Sequence, residues 1–189
     1  MHLRGLAGLG LLVAAGGAQG QALELALSDE SAHFRVEAES SLIGYGGANL
    51  GLGLLYNEDD DLAVNLGLET TGAPAGGGPL AFTVGVRGYA AWLDRPDDHV
   101  AALALGGGAS YVIPANMPMS LGATAYVAPG ITTFGDGDAL WDINARYAVE
   151  VTPGTSVFLG YRLLETDLDG RAGDYTLDDR PHVGVSIRY

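Results

Sequence analysis

An alternation of apolar and polar residues runs through most of this chain, and it limits the folds open to the chain. The segment WDINARYAVEV shows it most clearly. Its apolar positions, from Trp141 to Val151, point one way, and the positions between them, from Asp142 to Glu150, point the other way. Successive side chains of a β-strand lie on opposite faces, so the pattern predicts strands with two unlike faces.

The alternation recurs often enough to predict an all-β chain of antiparallel strands. Ten strands are expected at residues 22–28, 32–38, 46–57, 61–71, 79–93, 99–113, 118–128, 139–152, 155–168 and 180–189. The first two are short, so eight full strands is the alternative, and both counts are even. Most segments reach the roughly 9–11 residues that a tilted strand needs to cross a bilayer. We therefore predict an antiparallel transmembrane β-barrel.

The first residues predict export. The segment MHLRGLAGLGLLVAAGGAQGQA has Arg4 near its start, then an apolar run, then small residues, which is typical of a secretory signal peptide. We predict a signal peptide at residues 1–22, cleaved after Gly20 or Ala22, and one barrel domain at residues 23–189. The sequence has no cysteine, which excludes a lipid-modified cysteine at the cleavage site.

The net charge argues against one class of partner, and the positions of the acidic residues distinguish the two ends of the predicted barrel. A net charge of −14, with only nine basic residues, argues against nucleic acid binding. Successive links between strands are expected to alternate between the two ends of the barrel. The end with the two longest links, which we call the loop end, then contains most of the acidic residues. These acids are Asp29, Glu30, Glu58, Asp59, Asp60, Asp61, Asp94, Asp97, Asp98, Asp136, Asp138, Asp167, Asp169, Asp174, Asp178 and Asp179. The other end, the turn end, has short and nearly uncharged links, as outer-membrane barrels do.

Aromatic residues on the apolar faces fall near both ends of the predicted strands. They are Tyr56, Trp92 and Trp141 near the loop end, and Phe82, Tyr111 and Tyr189 near the turn end. Two girdles of amphipathic rings fit two membrane interfaces. Ordinary aromatic packing in the core of a β-sandwich is the alternative interpretation.

The polar faces are expected to line the interior of the barrel. Their charged members are Glu24, His33, Arg35, Glu37, Glu69, Arg87, Asp142, Arg146, Glu150, Arg162 and Arg188. Arginine can bridge carboxylates with two parallel hydrogen bonds, so we predict a lumen of arginine–carboxylate pairs, with Asp142 or Glu150 as the partner of Arg146. A plugged interior is favoured over a narrow conducting pore whose arginines would set ion selectivity.

The C-terminal residues HVGVSIRY predict how the barrel is assembled. His182, Gly184, Ile187 and Tyr189 form the pattern polar-x-Gly-x-x-apolar-x-aromatic. This pattern resembles the terminal signal that the barrel-assembly machinery reads in outer-membrane barrels. The last strand is also expected to pair with the first, because an open edge in lipid would leave backbone groups unsatisfied.

Catalytic and metal-binding patterns are weak in this sequence. Ser28, His33 and Glu37, or His182 with Ser186, could be arranged as hydrolase groups, but neither set has a supporting motif. We therefore predict no enzyme, no cofactor and no catalytic or metal-binding residues. The acid-rich loops could hold a divalent cation that bridges to lipopolysaccharide, although none of them is an EF-hand loop.

Five stretches resemble the YfaZ family of outer-membrane proteins. They are LGLGLLYNEDDDLAVNLGL, VAALALGGGASYVIPANMP, YVAPGITTFGDGD, VFLGYRLLETDLDG and YTLDDRPHVGVSIRY, of which YNEDDD and TLDD are the most specific. The resemblance spans nearly all of the predicted mature chain. It implies a β-barrel in the outer membrane of a Gram-negative bacterium, and it implies no activity or functional residues.

These observations together predict an integral outer-membrane barrel of structural or porin-like type. Its partners would be membrane lipid and lipopolysaccharide, and the barrel-assembly machinery during biogenesis. Two alternatives belong to other classes: a lipid-processing barrel enzyme, and a soluble periplasmic β-sandwich that binds a ligand.

Overall fold

A computed structural model of the chain describes residues 22–39, 47–74, 77–94, 98–168 and 174–189, which form an antiparallel β-barrel. The strands are β1 (Ala22–Leu27), β2 (Ser31–Glu39), β3 (Asn49–Asn57), β4 (Leu62–Gly72), β5 (Leu80–Trp92), β6 (His99–Ile113), β7 (Met119–Ala128), β8 (Thr133–Gly135), β9 (Gly137–Thr152), β10 (Thr155–Leu168) and β11 (Asp174–Arg188). Ten of them form the closed ring, and the short β8 pairs with the loop end of β6.

The ring closes between the first strand and the last. Strand β1 pairs with β2 on one side and with β11 on the other, where Leu25 lies opposite Val185. Closure pairs the strand edges that would otherwise expose backbone groups. The predicted antiparallel barrel with ten strands is therefore confirmed. The alternative of eight strands is wrong, because the short β1 and β2 are full members of the ring.

The start of β1 bears on the predicted cleavage site. The strand begins at Ala22, which pairs with Arg188 and with Glu37. Cleavage after Gly20 would leave β1 whole, whereas cleavage after Ala22 would remove its first residue. The rest of the predicted signal peptide, residues 1–21, lies outside the described residues.

The last strand is longer than the sequence predicted. We expected it at residues 180–189, whereas β11 runs over Asp174–Arg188. A shift of register opposite Leu164 forms a β-bulge, and both Leu177 and Asp178 are buried there. Two adjacent buried residues interrupt the alternation of buried and exposed positions that identifies a strand. The alternation therefore predicted only the part of the strand that follows the bulge.

The outer surface of the ring is a continuous set of exposed apolar side chains, which we call the outer belt. It includes Leu25, Leu27, Leu52, Leu66, Leu68, Val84, Val86, Leu103, Leu105, Leu121, Ile143, Val157, Leu159, Val183, Val185 and Ile187. The six aromatic residues predicted for the two girdles are also exposed. The apolar faces thus point outward, and the barrel holds its polar faces inside.

The connections are tight at the turn end and more elaborate at the loop end. Pro153 and Gly154 alone join β9 to β10, and Gly154 has a φ of 79°, which glycine adopts without strain. At the loop end, a 3-10 turn at Gly130–Thr132 leads from β7 into β8. In the described part of the chain, no helix is long and apolar enough to cross a membrane.

Candidate functional site in the barrel interior

The interior changes character from one end of the barrel to the other. Near the loop end, the inward side chains of Leu55, Tyr126 and Leu140 are at most 2% exposed. Near the turn end, the inward side chains of Ser110 and Arg146 are exposed. The described side chains therefore fill the loop half of the lumen and leave the turn half open.

An apolar cluster, here called the apolar plug, fills the loop half. It comprises Leu55, Ala63, Tyr89, Ala91, Leu93, Val100, Ala102, Ala104, Tyr126, Ala128, Leu140, Leu164, Leu168 and Leu177. Close packing of this kind excludes water, because cores are packed about as densely as organic crystals. The sequence did not predict the plug, because its large members stand at positions that the alternation assigns to the polar face.

A buried polar band lies directly beneath the plug. Its centre is Arg87, whose guanidinium lies 2.7 Å from Glu69 and 3.2 Å from Asp142. The same guanidinium stacks over the ring of Tyr126, 3.8 Å from its centroid. The hydroxyl of Tyr89 donates to Asp142 across 2.6 Å. Charges removed from water need such partners, since an unpaired buried charge is costly.

Arg35 extends this band toward the turn end. It lies 2.7 Å from Glu37 and 3.2 Å from Glu69, so Glu69 is shared by two arginines. A third contact at 3.5 Å runs from Arg35 to the side-chain oxygen of Asn65. The band therefore links β2, β4, β5 and β9 across the lumen, although its residues are far apart in the sequence.

The turn half holds an open polar space, which we call the vestibule. Two adjoining cavities of about 240 and 290 Å³ share Glu24, Arg35, Glu37 and Arg146 in their lining. Arg146 lies 2.5 Å from Glu24, and its side chain is 45% exposed. The vestibule is thus wet and charged, and it ends at the buried band.

A separate junction at the loop end joins the two most specific motifs of the sequence. The amide of Asn57, in YNEDDD, donates to the carbonyl oxygen of Leu177, in TLDD, across 3.0 Å. Asp61 is fully buried, and it accepts from the Asn57 amide at 3.0 Å and from the Tyr175 hydroxyl at 2.8 Å. A third bond, from the backbone N–H of Asp94, is 2.9 Å long. We call this junction the latch.

We expect Asp61→Ala to lower the free energy of unfolding by about 2–3 kcal/mol, because several donors lose a charged acceptor in a buried place. Asp59→Ala is the matched control, since Asp59 is its exposed neighbour in the same turn. Urea unfolding in detergent or vesicles measures both. Equal losses in the two variants would show that the latch does not depend on Asp61.

Two further carboxylates of the loop end lie close to each other. Asp167 lies opposite Asp174 where β10 meets β11. A hydrogen bond with Asp174, together with the charge of that carboxylate, raises the pKa of the Asp167 carboxyl. Repulsion at this pair therefore acts above the raised pKa and is relieved as the pH falls through it. Asp97 and Asp169 lie outside the described residues.

The structure assigns some lumen residues to partners that differ from the expected ones. Arg146 pairs with Glu24, whereas Asp142 pairs with Arg87. Glu150 accepts from the backbone N–H of Gly154 at 3.1 Å, so it supports the turn. The expectation that Asp142 or Glu150 would pair with Arg146 is therefore wrong, because pairing across a barrel depends on register and not on spacing along one strand.

Three further predicted lumen residues lie outside the buried band. The guanidinium of Arg162 approaches Nδ1 of His33 at 3.4 Å. The side chain of Arg188 lines the mouth of the vestibule, and its backbone N–H donates to the Gly154 carbonyl. These residues face the lumen without joining the network around Arg87.

The residues of the proposed assembly signal occupy both faces of β11. His182 is buried against the ring of Phe158, with the ring centroids 5.9 Å apart. A Cβ at Gly184 would overlap that same ring, so the glycine makes room for it. Ile187 and Tyr189 are exposed on the outer belt. The pattern therefore combines interior packing with an apolar outer face.

The imagined catalytic groups are engaged elsewhere. The Ser28 hydroxyl lies 2.9 Å from that of Ser31, and Glu37 accepts from Arg35. His33 contacts Arg162, as described above. Ser28, His33 and Glu37 are therefore not hydrogen-bonded to one another as a hydrolase triad would be. Among the described residues, no three His, Cys, Asp or Glu side chains are grouped as a metal ion would require.

Comparison with known proteins shows the family to which the chain belongs. A family model described as YfaZ precursor matches residues 1–189, the whole chain, and this confirms the resemblance noted above. No match to the chain is found among curated proteins. The family description names a precursor and no activity, so any function has to be argued from the interior and from the outer belt.

Proposed function

The chain belongs to the YfaZ family, and on this basis we propose that it is an integral outer-membrane barrel of structural type whose lumen is closed at the loop end. The outer belt is the observation that carries the proposal. Soluble monomers rarely expose apolar patches larger than a few hundred Å², and here the apolar side chains surround the ring. Such a surface is stable in contact with lipid, because each Å² of apolar area removed from water contributes roughly 25 cal/mol of favourable free energy.

The surroundings of the barrel follow from this placement. Membrane lipid would contact the outer belt, and lipopolysaccharide would meet the acid-rich loop end of a barrel in a Gram-negative outer membrane. The barrel-assembly machinery would read the last strand, from His182 to Tyr189, during biogenesis. The proposal assigns no reaction to the barrel.

Closure of the lumen favours the structural role over a porin-like one. An ion that entered from the turn end would meet the Arg87 band and then the apolar plug. Passage would require both to open, and opening would expose charges that are now paired in a dry place. We therefore expect no conduction by the resting barrel.

Mobility in detergent gels tests the placement in the membrane. The protein should be found in the outer-membrane fraction, and heating should shift its mobility, because closed barrels resist unfolding in mild detergent. Removal of Tyr189 should reduce the amount of folded protein in cells several-fold, while refolding of the purified variant into detergent should be unaffected. A soluble periplasmic protein that shows no heat shift would overturn the proposal and favour the β-sandwich alternative.

Planar bilayers test the closure. We expect the wild-type barrel to give no discrete conductance steps, whereas a double variant, Tyr126→Ala with Leu164→Ala, should give small steps because it thins the apolar plug. Leu105→Ala, which changes only the outer belt, is the control and should stay silent. Steps from the wild type would establish a narrow pore instead.

A further inference from the structure

The vestibule is cationic although the protein as a whole is strongly acidic. Its lining contains five arginines and three glutamates, namely Arg35, Arg87, Arg146, Arg162, Arg188, Glu24, Glu37 and Glu69. Asp142, the buried partner of Arg87, brings the acids to four against five arginines. The full chain has a net charge of −14. An excess of positive charge inside a low-dielectric wall concentrates anions there, because such walls focus the field.

Within this lining, Arg162 and Arg188 are the cations without a salt bridge to a carboxylate of the described residues, and Arg162 is the more buried of the two. Its Nε is buried without a hydrogen-bond partner, and no carboxylate of the described residues lies within salt-bridge distance of it. The contact with His33 does not offset the charge of Arg162, because an imidazole carries no negative charge. The nearest negative charge is that of Asp178, which attracts Arg162 without forming a salt bridge and accepts a hydrogen bond from the Ser31 hydroxyl.

Other side chains that can donate hydrogen bonds line the cavity beside the guanidinium of Arg162. Asn144 lies opposite Arg162 in the pairing of β9 with β10, and Asn144 pairs in turn with Thr124 of β7. The side chains of all three line the same cavity, together with Arg146. A small anion placed among them would receive hydrogen bonds from two arginines, an amide and a hydroxyl.

We propose that the vestibule binds a small soluble oxyanion of the phosphate class, held chiefly by Arg162 with help from Asn144, Thr124 and Arg146. The guanidinium fork matches the geometry of phosphate oxygens and keeps its charge at all relevant pH values. The vestibule lies inside the ring and opens at the turn end, so the ligand arrives from the water on that side. A membrane-anchored lipid does not fit this path.

Titration calorimetry of the purified full barrel in a zwitterionic detergent, with inorganic phosphate as the probe, tests the proposal. Arg162→Gln should weaken binding by about tenfold or more, since hydrogen bonds between a guanidinium and a phosphate are roughly twice as strong as those between neutral groups. Arg180→Gln is the matched control, because Arg180 pairs with Glu30 at the loop end and should leave the affinity unchanged. Glycerol phosphate as a second probe shows whether a phosphate ester, the chemistry of a lipid headgroup, is accepted as well as the free ion.

Three outcomes would overturn the proposal: no phosphate binding by the wild type, equal binding by Arg162→Gln, or equal weakening by the control. Each variant is first checked for the heat-dependent mobility shift. If Arg162→Gln does not assemble, Asn144→Ala and Arg162→Lys replace it, and both should weaken binding several-fold. Binding is measured in detergent, so its failure would leave the proposal of a closed membrane barrel intact.

Discussion

Gly106→Ala is expected to abolish assembly of the barrel. A Cβ at Gly106 would overlap the carbonyl oxygen of Ala125 on the neighbouring β7, and it would lie 2.7 Å from Cα of Tyr126. Both are backbone atoms in the ladder between β6 and β7, where Gly106 is opposite Tyr126. Relief would require the two strands to separate, and in lipid the freed backbone groups would each cost several kcal/mol. We expect no folded band in detergent gels.

Gly122→Ala is the matched control for this prediction. Gly122 stands in β7 itself, and there the nearest atom to an added Cβ is 3.8 Å away, an ordinary contact. This variant should give as much folded protein as the wild type. If both variants assembled equally well, the close approach of the two strands at Gly106 would not be a requirement of the fold.

Arg87→Leu should lower the free energy of unfolding by about 3–5 kcal/mol. Arg87 is 9% exposed, and its loss would leave Asp142 without an ionic partner and Glu69 with only the longer contact to Arg35. Removing one member of a buried ion pair costs this much because the remaining charge stays buried and uncompensated. Urea unfolding in lipid vesicles, followed by tryptophan fluorescence, measures the loss.

Arg146→Leu provides the comparison at the other end of the lumen. Its side chain is 45% exposed and its partner Glu24 is 15% exposed, so water can replace the lost contact. Exposed pairs contribute roughly 0–1 kcal/mol, and we expect a loss in that range. Similar losses in the two arginine variants would contradict the change from a dry to a wet interior along the barrel axis.

The secondary structure was largely predictable because alternation is a local property. Nine of the ten expected strands coincide with observed strands to within about three residues at each end, as for β9, which begins at Gly137 where residue 139 was expected. Strand β11 is the exception. Its bulge buries two successive residues, and a pattern of period two does not predict such a strand.

The interior was predictable only as a collection of residues. Arg87, Glu69 and Asp142 were each assigned to the lumen from the alternation. Their pairing was not predicted, because it joins β4, β5 and β9 across the ring. The latch was not predicted for the same reason, because it joins Asn57 to Leu177, which are 120 residues apart in the sequence. The only signal for it in the sequence was that YNEDDD and TLDD are both distinctive.

What the sequence alone determined about this protein is the position of most of its strands, the residues that share each face and the family that the chain resembles. These depend on neighbours along the chain and on motifs read directly from it. What the tertiary structure decided is which inward residues meet, that the loop half is sealed by apolar side chains, and that Arg162 faces an open vestibule without a salt bridge to a carboxylate of the described residues. Those features depend on the register of ten strands around a closed ring, because that register sets the height of each side chain inside the barrel.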